Sequence, residues 1–352
     1  MGGEGRPTAT PPRLFGVDAA RGIALLGMFV AHTVIGGGEK IVDGRSAILF
    51  ATVAGVSLGL LTGGTTPPGP GDRTRERLVV LVRGSALVLL GLALTTFLAP
   101  PVAVILDFYG VGFLALIAVL FVAKPVFAVL AAVAAFAAPP IVAAVTDRVP
   151  FEGILAPLQP FARWFLYGEY PMLIWLAFLL VGLLLARADL ADRFTAALAL
   201  VGGALAAVVG YGAAFAIPGV TAAAHTGTTA EVLGSGGVAV AIIGALSLLD
   251  SASGRGERVA RVVRFALAPI AAAGSLSLTL YTAHVVLLVA VRAAVGGDER
   301  WIVPDWTLPA LVVGSLVVAT LWRRFVGTGP LEAGMRALTR VAVGAPRSRV
   351  AP

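Results

Sequence analysis

The strongest constraint on this chain is a succession of apolar runs, each close to the length that crosses a lipid bilayer. A membrane-spanning helix needs about 20 consecutive, mostly apolar residues. Only 13% of the 352 residues are charged, which is about half the fraction typical of a soluble protein. We therefore predict an all-α, polytopic membrane protein with about ten transmembrane helices. The predicted spans lie near residues 14–35, 46–63, 78–99, 103–123, 126–145, 169–186, 194–217, 232–249, 266–291 and 307–325.

The distribution of basic residues predicts the orientation, because cytoplasmic segments of membrane proteins are enriched in Lys and Arg. With a cytoplasmic N-terminus, nineteen of the 26 Lys and Arg residues fall in inner segments and six in outer ones. We expect a multi-pass protein of the cell membrane with both termini cytoplasmic and an uncleaved first span. Its predicted parts are a tail over 1–13, a ten-helix domain over 14–325 and a basic tail over 326–352.

The basic tail contains one segment that favours a short interfacial helix, "GTGPLEAGMRALTR". Pro330 suits the first turn of a helix, and Glu332 faces the positive end of the helix dipole. Leu331, Met335 and Leu338 form one apolar stripe that suits the membrane surface.

Composition also excludes several function classes. The formal net charge is +7, but the basic residues lie at span ends rather than on one face, so we expect no nucleic-acid partner. The chain has no cysteine, which excludes disulfides, thiolate catalysis and cysteine-based metal sites. It contains no P-loop, dinucleotide-binding, zinc-protease or Ser-His-Asp signature, and we predict no metal site.

The first span carries polar side chains at both ends of an otherwise apolar helix. Asp18, Arg21 and His32 share one helix face, and His32 lies roughly 16 Å beyond Arg21 along the axis. A charged side chain inside a membrane is costly and is often functional. The Asp18–Arg21 pair is therefore either a structural clamp that fixes the helix or part of a ligand site.

All three histidines fall on the outer side of the predicted topology. In the ninth span, Ser277, Tyr281 and His284 follow a helical spacing and form one polar stripe. Such a stripe faces a cavity or a neighbouring helix rather than lipid. It therefore indicates either substrate contact or interhelical hydrogen bonding. We interpret His225, in "TAAAHTGTTAE", as an ordinary loop residue.

Two more spans begin with polar residues at the outer level. Asp107 and Tyr109 start the fourth span, and Glu169 starts the sixth. Asp107 could orient His32, or it could be an exposed interfacial residue. In "AGVSLGL", Gly55 and Gly59 have the spacing of a close helix–helix contact. From the residues alone, the chain could be a transporter or an enzyme whose donor and acceptor approach from opposite sides.

Several stretches resemble known families. "VDAARGIALLGMFVAH" resembles the opening of the transmembrane acyltransferase superfamily, with Asp-x-x-Arg-Gly at the start of the first helix. Its acyltransferase-3 branch places a functional histidine eleven residues after that arginine, as His32 follows Arg21. "DGRSAILFATVAGVSLGLL" resembles the second helix of the heparan-alpha-glucosaminide N-acetyltransferase catalytic domain and its bacterial YeiB-like relatives. "YGEYPMLIWLAFLLVGLLLARADL", "GSLSLTLYTAH" and "GTGPLEAGMRALTR" are similar to later YeiB-like segments.

One departure from the heparan branch concerns the histidine. That branch is assigned a catalytic histidine in the outer loop after the first span, and the loop "TVIGGGEKIVDG" contains none. A catalytic role for His32 therefore follows only from the acyltransferase-3 pattern.

The resemblance implies transfer of an acyl group, most simply acetyl, from cytoplasmic acyl-CoA to an extracytoplasmic hydroxyl or amine on a glycan, lipid or small molecule. Acyl-CoA is then a co-substrate, and no tightly bound cofactor is expected. His32 would be the general base or carry the acyl group covalently. Asp107 or His284 would assist it, while Arg21, held by Asp18, would position the donor. Tyr281, Ser277, Glu169 and Tyr109 are the predicted substrate contacts.

Other functions remain open at this point. The first alternative is a transporter or flippase for a small metabolite or lipid-linked sugar, with the same polar face lining its path. The second is a non-catalytic scaffold. The expected partners are the lipid bilayer, acyl-CoA and the acceptor, and a homodimer is a further possibility.

Overall fold

The fold is all-helical. The computed structural model describes residues 14–34, 41–148, 153–296 and 303–344, with 79% helix and no strand in this part of the chain. The predicted N-terminal tail and the last eight residues lie outside the described residues. The helices are α1 (Phe15–Thr33), α2 (Arg45–Leu61), α3 (Pro70–Ala93), α4 (Leu106–Leu116), α5 (Lys124–Phe136), α6 (Ala138–Thr146), α7 (Gln159–Phe165), α8 (Met172–Ala188), α9 (Arg193–Ala216), α10 (Thr229–Ser247), α11 (Arg255–Ser275), α12 (Ser277–Val295), α13 (Thr307–Phe325) and α14 (Pro330–Val343).

Seven helical segments in the described residues are long and apolar enough to cross a membrane. Three shorter apolar helices accompany them, and each of these segments overlaps one predicted span. The prediction of a multi-pass helical protein is thereby confirmed, whereas the count of ten and the side of the termini stay predictions. The long segments are Phe15–Thr33, Pro70–Leu98, Lys124–Thr146, Arg193–Ala216, Thr229–Ser247, Ser277–Val295 and Thr307–Phe325; the shorter ones are Arg45–Leu61, Leu106–Val119 and Met172–Ala188.

The ninth predicted span differs from the structure. The sequence predicts one helix over 266–291, but α11 ends at Ser275 and α12 begins at Ser277. Leu276 between them has φ −114° and ψ 24°, outside the helical region. A break inside an apolar segment exposes backbone N–H groups that need acceptors. The carboxylate of Glu332 supplies them, since it accepts from the backbone N–H groups of Leu278 (2.8 Å) and Thr279 (3.1 Å).

Helix α1 lies at the centre of the bundle and packs on α2, α10, α11 and α13. Its contact with α11 is close because both helices present glycine: a Cβ at Gly274 would overlap the backbone of Asp18 and Gly22. The predicted glycine contact of α2 is also present. A Cβ at Gly55 would overlap the Leu179 carbonyl of α8, and one at Gly59 would overlap Ala186.

Helix α9 lies at the edge of the bundle and presents large apolar side chains outward. Such a surface suits contact with lipid tails rather than water. The exposed side chains on this helix are Phe194, Leu198, Val201, Leu205, Val208, Val209 and Phe215. The buried polar side chains lie on other helices, among them Thr52 of α2, Asp107 of α4, Arg187 of α8, Ser235 of α10 and His284 of α12.

Candidate functional site

Two of the predicted site residues form a direct pair. His32, in the last turn of α1, and His284, in the middle of α12, approach with Nδ1 of His32 3.0 Å from Nε2 of His284. Their rings are stacked, with centroids 5.3 Å apart. His284 is 1% exposed, and His32 is half-buried. The two histidines that sequence placed on the same side therefore form one unit, which we call the histidine pair.

Aromatic rings enclose the buried member of the pair. The rings of Phe29 and Tyr281 lie 5.0 Å and 4.9 Å from the His284 ring. The hydroxyl of Tyr281 accepts a hydrogen bond from the backbone N–H of Ile105. Nδ1 of His284 has no hydrogen-bond partner among the residues that the structure describes, and it faces the helical turn formed by Leu280 and Tyr281. His32 is thus the member of the pair with access to a ligand.

A cavity of about 310 Å³ reaches the same stripe of α12 from the other end of the helix. Ser277 and Tyr281 line it, and His284 lies one turn beyond Tyr281, so the predicted stripe runs from the cavity to the histidine pair. Three arginines line its polar part: Arg21, Arg83 and Arg336. We call it the arginine cavity. Its apolar part is lined by Phe50, Ala54, Leu87, Leu106, Tyr109 and Phe113.

Arg21 is held by three partners. Nη1 lies 3.1 Å from Oδ1 of Asp18, which is the ion pair predicted from sequence, and it also donates to the Gly274 carbonyl at 3.3 Å. Nη2 donates to the hydroxyl of Ser57 at 2.6 Å. Asp18 also lies 3.9 Å from Arg323 of α13. Arg21 therefore clamps α1 to α2 and α11 and also forms part of the cavity wall.

The structure places Asp107 differently from its predicted role. It is 2% exposed, so it is not an exposed interfacial residue. Its Oδ2 accepts from Trp164 Nε1 at 3.0 Å, and Oδ1 has no partner among the described residues. A hydrogen bond that orients His32 is therefore not formed. Tyr109 donates to the Ala47 carbonyl at 2.9 Å and stacks on Phe50 at the cavity wall.

His225 is more than a loop residue. Its Nε2 lies 3.1 Å from Oδ1 of Asp43 and its Nδ1 3.3 Å from Oε2 of Glu169. Its backbone lies in the left-handed region, at φ 59°. Glu231 holds the loop there by accepting from the backbone N–H groups of His225 (2.8 Å) and Gly227 (2.7 Å). We call Asp43, Glu169 and His225 the rim cluster.

The rim cluster lies at the His32 end of the bundle, and Asp43 and His225 are within electrostatic range of His32. Burial lowers the pKa of His225, but its hydrogen bonds and charge interactions with Asp43 and Glu169 outweigh burial and raise the pKa to about 9. The hydrogen bond from His225 in turn lowers the pKa of Asp43. At neutral pH the rim cluster therefore holds an imidazolium between two carboxylates. Since the three side chains come from three loops, this arrangement joins those loops.

This arrangement predicts a pH-dependent stability. Because the folded pKa of His225 exceeds its ordinary value of 6.5, its contribution is complete below about pH 6.5 and is lost as the pH rises through about 9. The contribution of His225 to the free energy of unfolding is about 1–3 kcal/mol, a range that allows for solvent screening of the exposed carboxylates. Thermal unfolding in detergent should show a melting temperature that falls between pH 6.5 and 9.5. His225→Gln should remove most of that slope, and an equal slope in both proteins would contradict the pairing.

Sequence reasoning missed several residues of these sites. Arg83, Arg336 and Ser57 line the arginine cavity, and Asp43 and His225 form the rim. The basic residues of the predicted inner segments indicate only the orientation of the chain, and nothing local distinguishes Arg83 from its neighbours. In the described residues, no group of three or more His, Asp and Glu side chains is arranged to hold a metal ion.

These features define the chain as a multi-pass helical membrane protein with a buried polar site between its helices. Residues 182–342 match the sequence model of a family described as Protein of unknown function (DUF418), which is membrane-associated and YeiB-like. The match covers less than half of the chain. It includes His225, His284 and Glu332 but neither His32 nor Arg21. The comparison with curated proteins found no significant match to the chain.

Proposed function

We propose that the protein is an integral membrane acyltransferase that moves an acyl group from acyl-CoA to a hydroxyl or amine on the opposite side of the membrane. One observation carries the proposal: the histidine pair lies directly beyond Tyr281, which is itself part of the arginine cavity wall. A donor in the cavity and an acceptor at the rim would thus meet at an imidazole.

The arginine cavity suits the chemistry of the donor. Guanidinium groups bind phosphate through charge-assisted, often bidentate hydrogen bonds, and Arg21, Arg83 and Arg336 all line the cavity. The apolar part then accommodates the pantetheine arm and a short acyl chain, and Ser277, Tyr281 and Tyr109 contact them. The excess of basic residues in the predicted inner segments supports a cytoplasmic position for these arginines, on the side where acyl-CoA is found.

The histidine pair suits proton removal. When His284 keeps its proton on Nδ1, its Nε2 accepts the proton of His32 Nδ1, so the lone pair of His32 lies on Nε2. The acceptor oxygen or nitrogen attacks the thioester carbonyl while its proton passes to His32 Nε2. The carbon–sulfur bond breaks, and the CoA thiolate leaves toward the arginines and takes a proton from solvent. His32 then releases its proton to solvent at the rim, which restores the neutral imidazole. In this proposal His284 is a positioning residue.

The rim cluster suits the acceptor. Asp43 and Glu169 have side chains that are 42% and 56% exposed, so their oxygens remain open to hydroxyl or amine groups. Glu169, predicted as a substrate contact, therefore belongs to the acceptor side, whereas the other three predicted contacts belong to the donor side. Asp107 has no step in this mechanism.

The test is turnover of acyl-CoA by the purified protein. We expect free CoA to appear in proportion to an added acceptor, such as a cell-envelope glycan fraction, with acetyl-CoA and longer acyl-CoA compared. A transporter would instead move substrate across liposomes without releasing CoA. Failure to release CoA with every acyl-CoA and acceptor fraction would overturn the proposal. Comparing the envelope lipids and glycans of a deletion strain and its complemented parent would identify the acceptor.

A further inference from the structure

Helix α14 forms part of the arginine cavity through an unusual contact with α12. Glu332 accepts from the backbone N–H groups of Leu278 and Thr279, which are free because α12 begins there. In return, the hydroxyl of Thr279 accepts from the backbone N–H of Leu331 at 3.2 Å and donates to Glu332. Each helix thus supplies a side chain that caps the first turn of the other. We call this contact the reciprocal cap.

The reciprocal cap brings α14 residues into the cavity. Met335 and Arg336, one turn after Glu332, line it together with Thr328 just before the helix. The far end of α14 makes a weaker, exposed connection, in which Arg75 of α3 donates to the Gly344 carbonyl at 3.0 Å. The helix itself buries none of its residues. It also packs along α3, so α3 supplies its main packing contact and the cap supplies its hydrogen bonds to α12.

The charges at this end of the cavity are unbalanced. Arg83 and Arg336 are close enough to repel one another, and Nε of Arg83 is buried without a hydrogen-bond partner in the described part of the chain. The positive ends of the α12 and α14 dipoles point to the same region. Glu332 is the one carboxylate among the described residues that line the cavity. A polyanionic ligand between Arg83 and Arg336 would relieve the repulsion.

We propose that α14 is a detachable wall of the arginine cavity, held by the reciprocal cap, which completes the site for the donor's phosphate groups by placing Arg336 opposite Arg83. This inference rests on the proposed function for the identity of the donor as acyl-CoA. Undocking of α14 opens the cavity so that a bulky nucleotide enters from the membrane surface. Docking then encloses it, with the thioester directed toward Tyr281.

The experiment uses the absence of cysteine to follow α14 by labelling a single introduced thiol with a charged maleimide. Met335→Cys reports the cavity-facing side of α14, and Ala337→Cys, on its exposed side, is the control. We expect CoA to slow labelling at position 335 about tenfold and to leave position 337 unaffected. Glu332→Gln or Thr279→Val should speed labelling at 335 and weaken CoA binding, each about tenfold, because each removes hydrogen bonds to a charged group.

Two matched arginine variants distinguish a specific CoA-binding site from a general effect of positive charge. Arg336→Gln should weaken CoA binding about tenfold, whereas Arg340→Gln, one turn further along α14, should leave it within about twofold. Equal losses in the two variants would overturn the proposal. So would labelling at 335 that responds neither to CoA nor to loss of the cap, or CoA binding that is unchanged when the cap is broken.

Two further probes distinguish this inference from the proposed function. Pyrophosphate and vesicles containing phosphatidic acid are tested in the same labelling assay. Protection by one of them but not by CoA would retain α14 as the wall of an anion site and would refute acyl-CoA as the donor. If pyrophosphate, phosphatidic acid and CoA all fail to protect position 335, the detachable wall is refuted as well.

Discussion

Replacing His32 by asparagine should lower acceptor-dependent CoA release by about 10²–10⁴-fold, the usual contribution of a general base. Asparagine places a polar atom near the position of Nδ1, which lies 3.0 Å from His284 Nε2, so the contact with His284 can be kept. It has nothing to replace Nε2, the atom that would take the proton. Rates are measured with purified protein at saturating acyl-CoA, and CoA affinity should stay within about twofold of the wild type.

Two variants make this result specific. His284→Gln offers an amide at the position of Nε2 and should cost only about tenfold, because a positioning residue is replaced by a hydrogen-bonding substitute. Val30→Ala, two residues before His32 on α1, serves as the folding control. His32→Asn with more than a tenth of the wild-type rate would remove His32 from the chemistry. If liposomes with the wild-type protein show substrate flux without CoA release, and His32→Asn abolishes that flux, the transporter alternative would be favoured.

The features that sequence predicted correctly are those set by local geometry. Asp18 and Arg21 are one turn apart, so helical spacing alone brings them to the 3.1 Å separation observed. Ser277, Tyr281 and His284 share a stripe for the same reason. Gly55 and Gly59 repeat every four residues, which gives α2 a flat face whatever its partner is. Hydrophobic run length predicted where the helices lie.

The features that sequence missed all depend on contacts between distant segments. Glu332 lies in the first turn of its own helix, as the sequence predicts, but it also caps α12, more than fifty residues earlier. Without that carboxylate, a break at Leu276 inside an apolar run has no visible cause. The sequence leaves Asp107 either as a partner of His32 or as an exposed interfacial residue, but Trp164, from a segment with no recognisable motif, supplies its hydrogen bond. Such pairings depend on which helices become neighbours in the bundle, and hydrophobic periodicity does not specify this.

Removing the cation of Arg21 is expected to have the second large effect. Arg21→Gln should weaken CoA binding by about 10–100-fold, since hydrogen bonds to charged groups contribute about 1.5–3 kcal/mol. Arg21→Lys keeps the charge but not the fork that reaches Asp18, Gly274 and Ser57 together, so it should recover only part of the affinity. Calorimetry at low and high salt measures both changes, and the difference between the variants should shrink at high salt.

The control for this prediction is Arg323→Gln. Arg323 also lies near Asp18, at 3.9 Å, but it is outside the lining of the cavity, so its removal should leave CoA affinity within about twofold. The two roles of Arg21, as a clamp between helices and as a contact of the donor, predict different results. A clamp alone requires a lower melting temperature with unchanged CoA affinity. If Arg21 contacts the donor, CoA affinity should be lower even at temperatures where the variant is fully folded, because the hydrogen bonds that are lost are then those to the ligand.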